Sequence, residues 1–102
     1  MSVFLDIVKS DLAIFFEEIS EKVYLDGSPI NIIIDHDRLK DRSKKEYDGI
    51  YIGDLLYFVK VEDLISPPKI GGLQIFNKKK YEVFDVRKDV GLYEIILKGA
   101  SS

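Results

Sequence analysis

Tyr81-Glu82-Val83-Phe84-Asp85-Val86-Arg87-Lys88-Asp89-Val90-Gly91-Leu92-Tyr93-Glu94-Ile95-Ile96-Leu97-Lys98 reads as two β-strands joined by a tight turn. In the second run Tyr93, Ile95 and Leu97 alternate, and a period of two sets them on one inward face. Asp89-Val90-Gly91 is the glycine-bearing link of a hairpin. The first run carries a fault in its phase. Tyr81 and Val83 share a face, but the next apolar residues are Phe84 and Val86. A slip of one residue within a strand predicts a β-bulge near Phe84-Asp85.

Working toward the N-terminus, Asn77–Lys80 is a polar, basic turn and Leu73–Phe76 a short strand. Ser66-Pro67-Pro68-Lys69-Ile70-Gly71-Gly72 forbids a helix or a central strand. Leu55–Glu62 is a strand with Tyr57, Val59 and Val61 on one face and Leu56, Phe58, Lys60 and Glu62 on the other. Ile50–Ile52 is a candidate short strand. Ile30, Ile32 and Ile34 alternate on another strand, preceded by the turn Asp26-Gly27-Ser28-Pro29 and the strand Lys22–Asp26. Before Ile19 the period is helical: Phe4, Val8, Leu12, Phe15 and Ile19 form one apolar stripe over residues 3–20.

This order predicts a mainly β chain, α+β overall. It is a small antiparallel β-barrel of six to seven strands, about 22–98, with an N-terminal helix at about 3–20. Closure is favoured because it removes edges that would otherwise pair with other chains. The 102 residues make one domain, residues 1–102. The composition, 46% apolar and 32% charged, is that of a globular protein. With no cysteine, a disulfide scaffold, a thiolate metal site and a cysteine nucleophile are all excluded. No run approaches the ~20 apolar residues of a membrane span, and the N-terminus lacks a basic signal-peptide region. The expectation is a soluble intracellular protein with no membrane partner. A net charge of −3 argues against non-specific nucleic-acid binding as the main task.

One segment interrupts the strand series. Asp37 to Asp48 reads Asp-Arg-Leu-Lys-Asp-Arg-Ser-Lys-Lys-Glu-Tyr-Asp, and Arg38–Lys45 sets five basic residues against one acid. It reads as a long charged loop over about 37–49, and loops of that length in small domains are functional or mobile. Arg38, Lys40, Arg42, Lys44, Lys45 and Tyr47 are therefore candidates for an interface with nucleic acid or a partner protein. Ile33, Leu56, Phe58, Phe84 and Ile96 lie off-phase on their strands. Some of them must sit under the helix, and the rest would form an exposed apolar patch. Gly27, Gly71, Gly72 and Gly91 are structural turn residues.

Catalytic chemistry finds little support. His36 is the only histidine. As part of a strand it would point away from Asp35 and Asp37, which leaves no metal or acid–base cluster. There is no threonine, and no serine has an evident base. Gly71-Gly72 lacks the phosphate-binding loop pattern and precedes a strand. The expectation is no enzyme, no metal and no cofactor.

The succession from the first helix to the last hairpin resembles the head–tail joining (head-completion, stopper) proteins of long-tailed bacteriophages and prophages. The likeness covers about residues 12–98. Its sharpest part is Tyr81-x-Val83-x-x-Val86-x-x-Asp89-x-Gly91, although Gly71-Gly72 stands where relatives often have Gly-Asp. The resemblance implies a β-barrel with a flanking helix, made in the bacterial host cytoplasm and placed in the virion neck. Such proteins form a ring below the portal, complete the head and dock the tail. The implied partners are other copies of the chain, a portal or adaptor protein, a tail or tail-terminator protein, and DNA in the channel. In relatives the loop after the second strand rearranges on assembly, which points to residues 37–49. Sugar-transport and nucleotide-binding labels borne by some relatives have no supporting motif in this sequence. The alternative is a stand-alone nucleic-acid-binding barrel. A third reading, a small-molecule or enzymatic barrel, needs a concave polar pocket that the sequence does not announce.

Overall fold

The computed structural model describes residues 12–46, 53–89 and 91–99. Helix α1 (Leu12–Ile19) leads into strands β1 (Glu21–Leu25) and β2 (Ser28–Ile34). Helix α2 (His36–Glu46) follows, then β3 (Leu55–Lys60) and a 3₁₀ turn at Val61–Asp63. β4 (Leu73–Phe76), β5 (Lys79–Asp89) and β6 (Leu92–Gly99) complete the chain. The six strands close into an antiparallel barrel in the order β1-β2-β3-β6-β5-β4. The earlier part of the expected first helix, residues 3–11, and the candidate strand at Ile50–Ile52 lie outside the described residues. Gly99, expected in a fraying tail, pairs with Tyr81.

Period two does what the sequence predicts. Val23, Leu25, Ile32, Tyr57, Val59, Val83, Tyr93, Ile95 and Leu97 fill the barrel. One polar pair shares that interior, the Tyr57 hydroxyl donating to the Gln74 side-chain carbonyl. Burial pushes the Tyr57 hydroxyl well above its usual pKa, so it stays a neutral donor.

The bulge falls where the phase slip predicts it, between Val83 and Asp85. Tyr81 and Val83 face inward before it and Val86 after it, opposite Ile95. Asp85 and Arg87 are thereby turned outward, opposite Ile96 and Glu94. Without the extra residue both charges would point into the barrel.

Two tight turns close the cylinder. β1 and β4 share a single register pair, Leu25 with Phe76. Asp26-Gly27 and Asn77-Lys78 are two-residue turns with positive φ at both positions (51° and 87°, 50° and 71°), matching the mirror-image turns that suit twisted hairpins. The first residue of each turn grips the other strand. Asp26 N–H donates to Ile75 O at 2.8 Å and its Oδ1 accepts from Ile75 N–H at 2.9 Å. Asn77 N–H donates to Tyr24 O at 2.8 Å and its Oδ1 accepts from Tyr24 N–H at 2.9 Å.

The charged segment departs from expectation. Residues 36–46 are helix, not loop. Asp35 caps it: its Oδ1 accepts the Arg38 N–H at 2.9 Å, satisfying one of the helix's unpaired donors. Leu39, Arg42 and Ser43 recur at helical spacing and are buried. The strand geometry assumed for Asp35-His36-Asp37 fails with it, since His36 opens the helix and Asp35 is spent as its cap.

Candidate functional site

The outer wall of the barrel has two halves. Over β2, β3 and β6 the wall is apolar and covered. Ile33, Leu56, Phe58, Leu92 and Ile96 form a second core with Phe16 of α1 and Leu39 of α2, and Phe84 packs against it. Of the five off-phase residues, some are expected under the helix and the rest in an exposed patch; Ile33, Leu56, Phe58 and Ile96 are buried and Phe84 is half-buried, so no such patch forms there. A second helix, unseen in the sequence pattern, joins the first in covering them.

Charge fixes α2 on this half. Arg42 is 1% exposed. It donates from Nη1 to Glu94 Oε2 at 2.7 Å, from Nε to Glu46 Oε2 at 3.2 Å, and from Nη2 to Asp85. Arg38 Nε donates to the other Glu94 oxygen at 3.2 Å. Arg87 donates to Glu46 and lies 3.4 Å from Asp85. Three guanidinium groups thus meet three carboxylates in a locally neutral cluster. Burial alone would lower the Arg42 pKa, but the hydrogen bonds to Asp85 and Glu46 and the Glu94 charge together raise it. Burial alone would raise the Glu46 carboxyl pKa, and the bonds from Arg87 and Arg42 together hold it below its usual value.

The predicted loop interface is split by this geometry. Arg38 and Arg42, expected in a partner interface, pair with carboxylates of their own chain, Arg42 being fully buried and Arg38 part-buried. Lys40, Lys44 and Lys45 are exposed, Lys45 beside Asp41 at 3.4 Å. Tyr47 lies outside the described residues. Gly27, Gly71 and Gly91 hold the positive φ their turns need (87°, 88° and 79°). At Gly72 a Cβ would stand 3.0 Å from Lys69 O, a tight contact to which the Lys69 backbone would have to yield.

Among the described residues, nothing covers the other half of the wall. Along β1 and β4 the inward residues are Val23, Leu25, Gln74 and Phe76, and the outward ones are Lys22, Tyr24, Leu73 and Ile75. Tyr24, Leu73 and Ile75 are 53%, 62% and 45% exposed. Tyr24 and Ile75 are diagonal neighbours across the seam. Exposed Lys78 and Lys80 flank this stripe, Lys80 directly across from Ile75. At the adjacent barrel mouth Ile65 and Leu73 rim a cavity of about 370 Å³. Leu25, Ile30, Leu64 and Val83 line it, with Asp26, Asp63, Lys69 and Gln74 as polar members. Sequence reasoning missed this surface. The signal was present in the outward phase of Tyr24, Leu73 and Ile75, which the alternation of two short strands already defines.

No protein-family model matches the chain, and no curated protein matches it significantly. Among solved structures, the crystal structure of the ATP-binding sugar transporter-like protein from Salmonella typhimurium is similar. The TM-score is 0.54 at 14% identity, over 96% of this chain and 93% of that one. At that identity the likeness shows a common fold and nothing of activity. No described helix is long and apolar enough to cross a membrane.

Proposed function

We propose that this chain is a structural protein of a phage head–tail connector, a subunit of a ring below the portal that completes the head and docks the tail. The observation that carries the reading is the uncovered wall. A barrel whose opposite half is sealed by two helices leaves Tyr24, Leu73 and Ile75 in solvent, and a contiguous apolar stripe rimmed by charge marks a protein contact. The closed barrel with its flanking helix and the bulged Tyr81–Gly91 hairpin support it through the resemblance. Ring assembly asks for binding surfaces rather than a catalytic cluster, and Arg38, Arg42 and Glu46 of α2 serve the fold.

The stand-alone nucleic-acid module draws less support. Two of the five basic groups that suggested it, Arg38 and Arg42, are neutralised within the chain. ATP binding and sugar transport, which the similar Salmonella protein's name carries, have no counterpart in a phosphate-binding loop in this sequence.

The test is loss of the protein from the particles that contain it. Filled heads and free tails should accumulate unjoined, and supplying the protein in trans should restore joined particles. Normal yield of joined particles without it would overturn the reading.

A further inference from the structure

We infer that copies of this chain associate head to tail through two complementary patches, the basic–apolar stripe of one copy receiving the acidic end of α1 of the next. The inference rests on the connector reading and names the surfaces that would build its ring.

The first patch is the apolar row Tyr24, Leu73 and Ile75 with Lys22, Lys78 and Lys80 around it; Asp26 also lies at this edge, and Glu82, across from Leu73, sits 3.4 Å from Lys98. The second is the end of α1, where Glu17 and Glu18 are exposed beside Ile19, itself 47% exposed. One is apolar with a basic rim and the other apolar with an acidic rim. None of the charges at Glu17, Glu18, Lys22, Lys78 or Lys80 has an ion-pair partner among the described residues. On the covered half Arg38, Arg42 and Arg87 are paired, whereas Lys40 and Lys44 of α2 have no ion-pair partner among the described residues either. Unpaired charge of opposite sign on two different surfaces suits contact between copies.

The patches are different surfaces of the subunit that adjoin where α1 runs into β1, Lys22 following Ile19 by three residues. α1 packs on the outer face over β2, with Phe16 in the outer core and Lys60 Nζ 5.6 Å from its ring centroid. The stripe lies on β1 and β4. A contact between two different surfaces of one subunit is heterologous and repeats from copy to copy, closing into a ring where the rotation allows. A self-complementary contact would stop at a dimer.

The stripe's basic rim is also held firmly. Asn77 is clasped to Tyr24 by two hydrogen bonds, so the turn carrying Lys78 is fixed to β1. Lys78 sits at φ 71°, in a turn position that glycine fits with less strain. A lysine kept there presents its charge at the tip.

The chain has no cysteine, which makes cross-linking clean. Glu18→Cys and Lys80→Cys proteins are prepared separately, mixed at high concentration and treated with a short bismaleimide. The mixed product, one Glu18→Cys chain joined to one Lys80→Cys chain, should dominate. A chain carrying both substitutions should give a ladder of higher oligomers. Glu17→Lys/Glu18→Lys and Lys78→Glu/Lys80→Glu should each abolish self-association in sedimentation, and a mixture of the two charge-reversed proteins should restore a dimer. All four residues are exposed, so circular dichroism should be unchanged. Like-with-like products as abundant as the mixed one, or protein that stays monomeric at every concentration, would overturn the contact. Either result leaves the connector reading to its own test, the joining of heads and tails.

Discussion

Arg42 holds the position that an apolar residue would take in an ordinary amphipathic helix. A guanidinium can do so because its planar fork presents several donors at once, and here it reaches three carboxylates, Glu94, Asp85 and Glu46. Removing one partner from a buried charge cluster costs more than the cluster itself contributes. Arg42→Ala should therefore lower the unfolding free energy by about 3–5 kcal/mol in urea titration. Arg42→Lys should recover only part of it, since one ammonium cannot reproduce the fork. A loss under ~1 kcal/mol, the size of an exposed pair, would mean that the cluster is slack. Glu46 adds a pH term. Its folded pKa lies below the ordinary 4.5, so the stability it contributes is complete above that value. It is lost as pH falls through the folded pKa, and Glu46→Gln should flatten the stability profile in that acid window. Gly53 makes a different demand. A Cβ there would lie 2.5 Å from Ile96 Cγ2 and 2.9 Å from Leu97 O. Gly53→Ala must push β6 aside and should cost about 1–3 kcal/mol, as overpacking does; an unchanged urea midpoint would show that β6 yields freely.

At the scale of elements, α2 depends on a cap and on a bulge elsewhere in the chain. Asp35→Ala removes the side-chain acceptor for the Arg38 N–H and should destabilise the protein by about 1 kcal/mol. Amide exchange should quicken over residues 38–46 first; uniform quickening across the barrel would show that the helix does not open separately. The bulge between Val83 and Asp85 sends Asp85 and Arg87 out to meet the helix. That bulge was legible in the sequence, because Val83, Phe84 and Val86 break the period of two. The inward faces of β2, β3 and β6 were legible for the same reason. The helix was not. Its buried face is one leucine, one arginine and one serine, and periodicity detects helices by apolar stripes. What makes Arg42 a core residue is the set of carboxylates on β5 and β6, more than 40 positions further on. The candidate site was hidden similarly. The apolar residues that looked surplus are covered by α1 and α2 together, so the exposed surface moved to the opposite half of the wall.

Across the whole molecule, one sheet separates two cores. Ile95 and Ile96 are consecutive on β6 and both are fully buried, yet Ile95 faces the barrel interior and Ile96 the helices. Truncating either side chain removes buried methylenes and leaves a cavity, at about 2–5 kcal/mol. Equal cost need not mean equal consequence. The barrel is held by ladders between all neighbouring strands and closed by the clasps at Asp26 and Asn77. The helical layer is held by Phe16, Leu39 and the Arg42 cluster. Regions with fewer buried apolar contacts open at lower free energy than the global transition. Ile96→Ala should therefore raise amide exchange in α2 out of proportion to the strands, while Ile95→Ala should raise it in β3, β5 and β6 together. If both variants gave one uniform increase, the two cores would be a single cooperative unit. The outcome bears on assembly as well. A ring subunit must keep Tyr24, Leu73 and Ile75 in fixed register, and these residues stand on the barrel, remote from the α2 layer. A barrel that stays closed while α2 opens would preserve its docking wall through that opening.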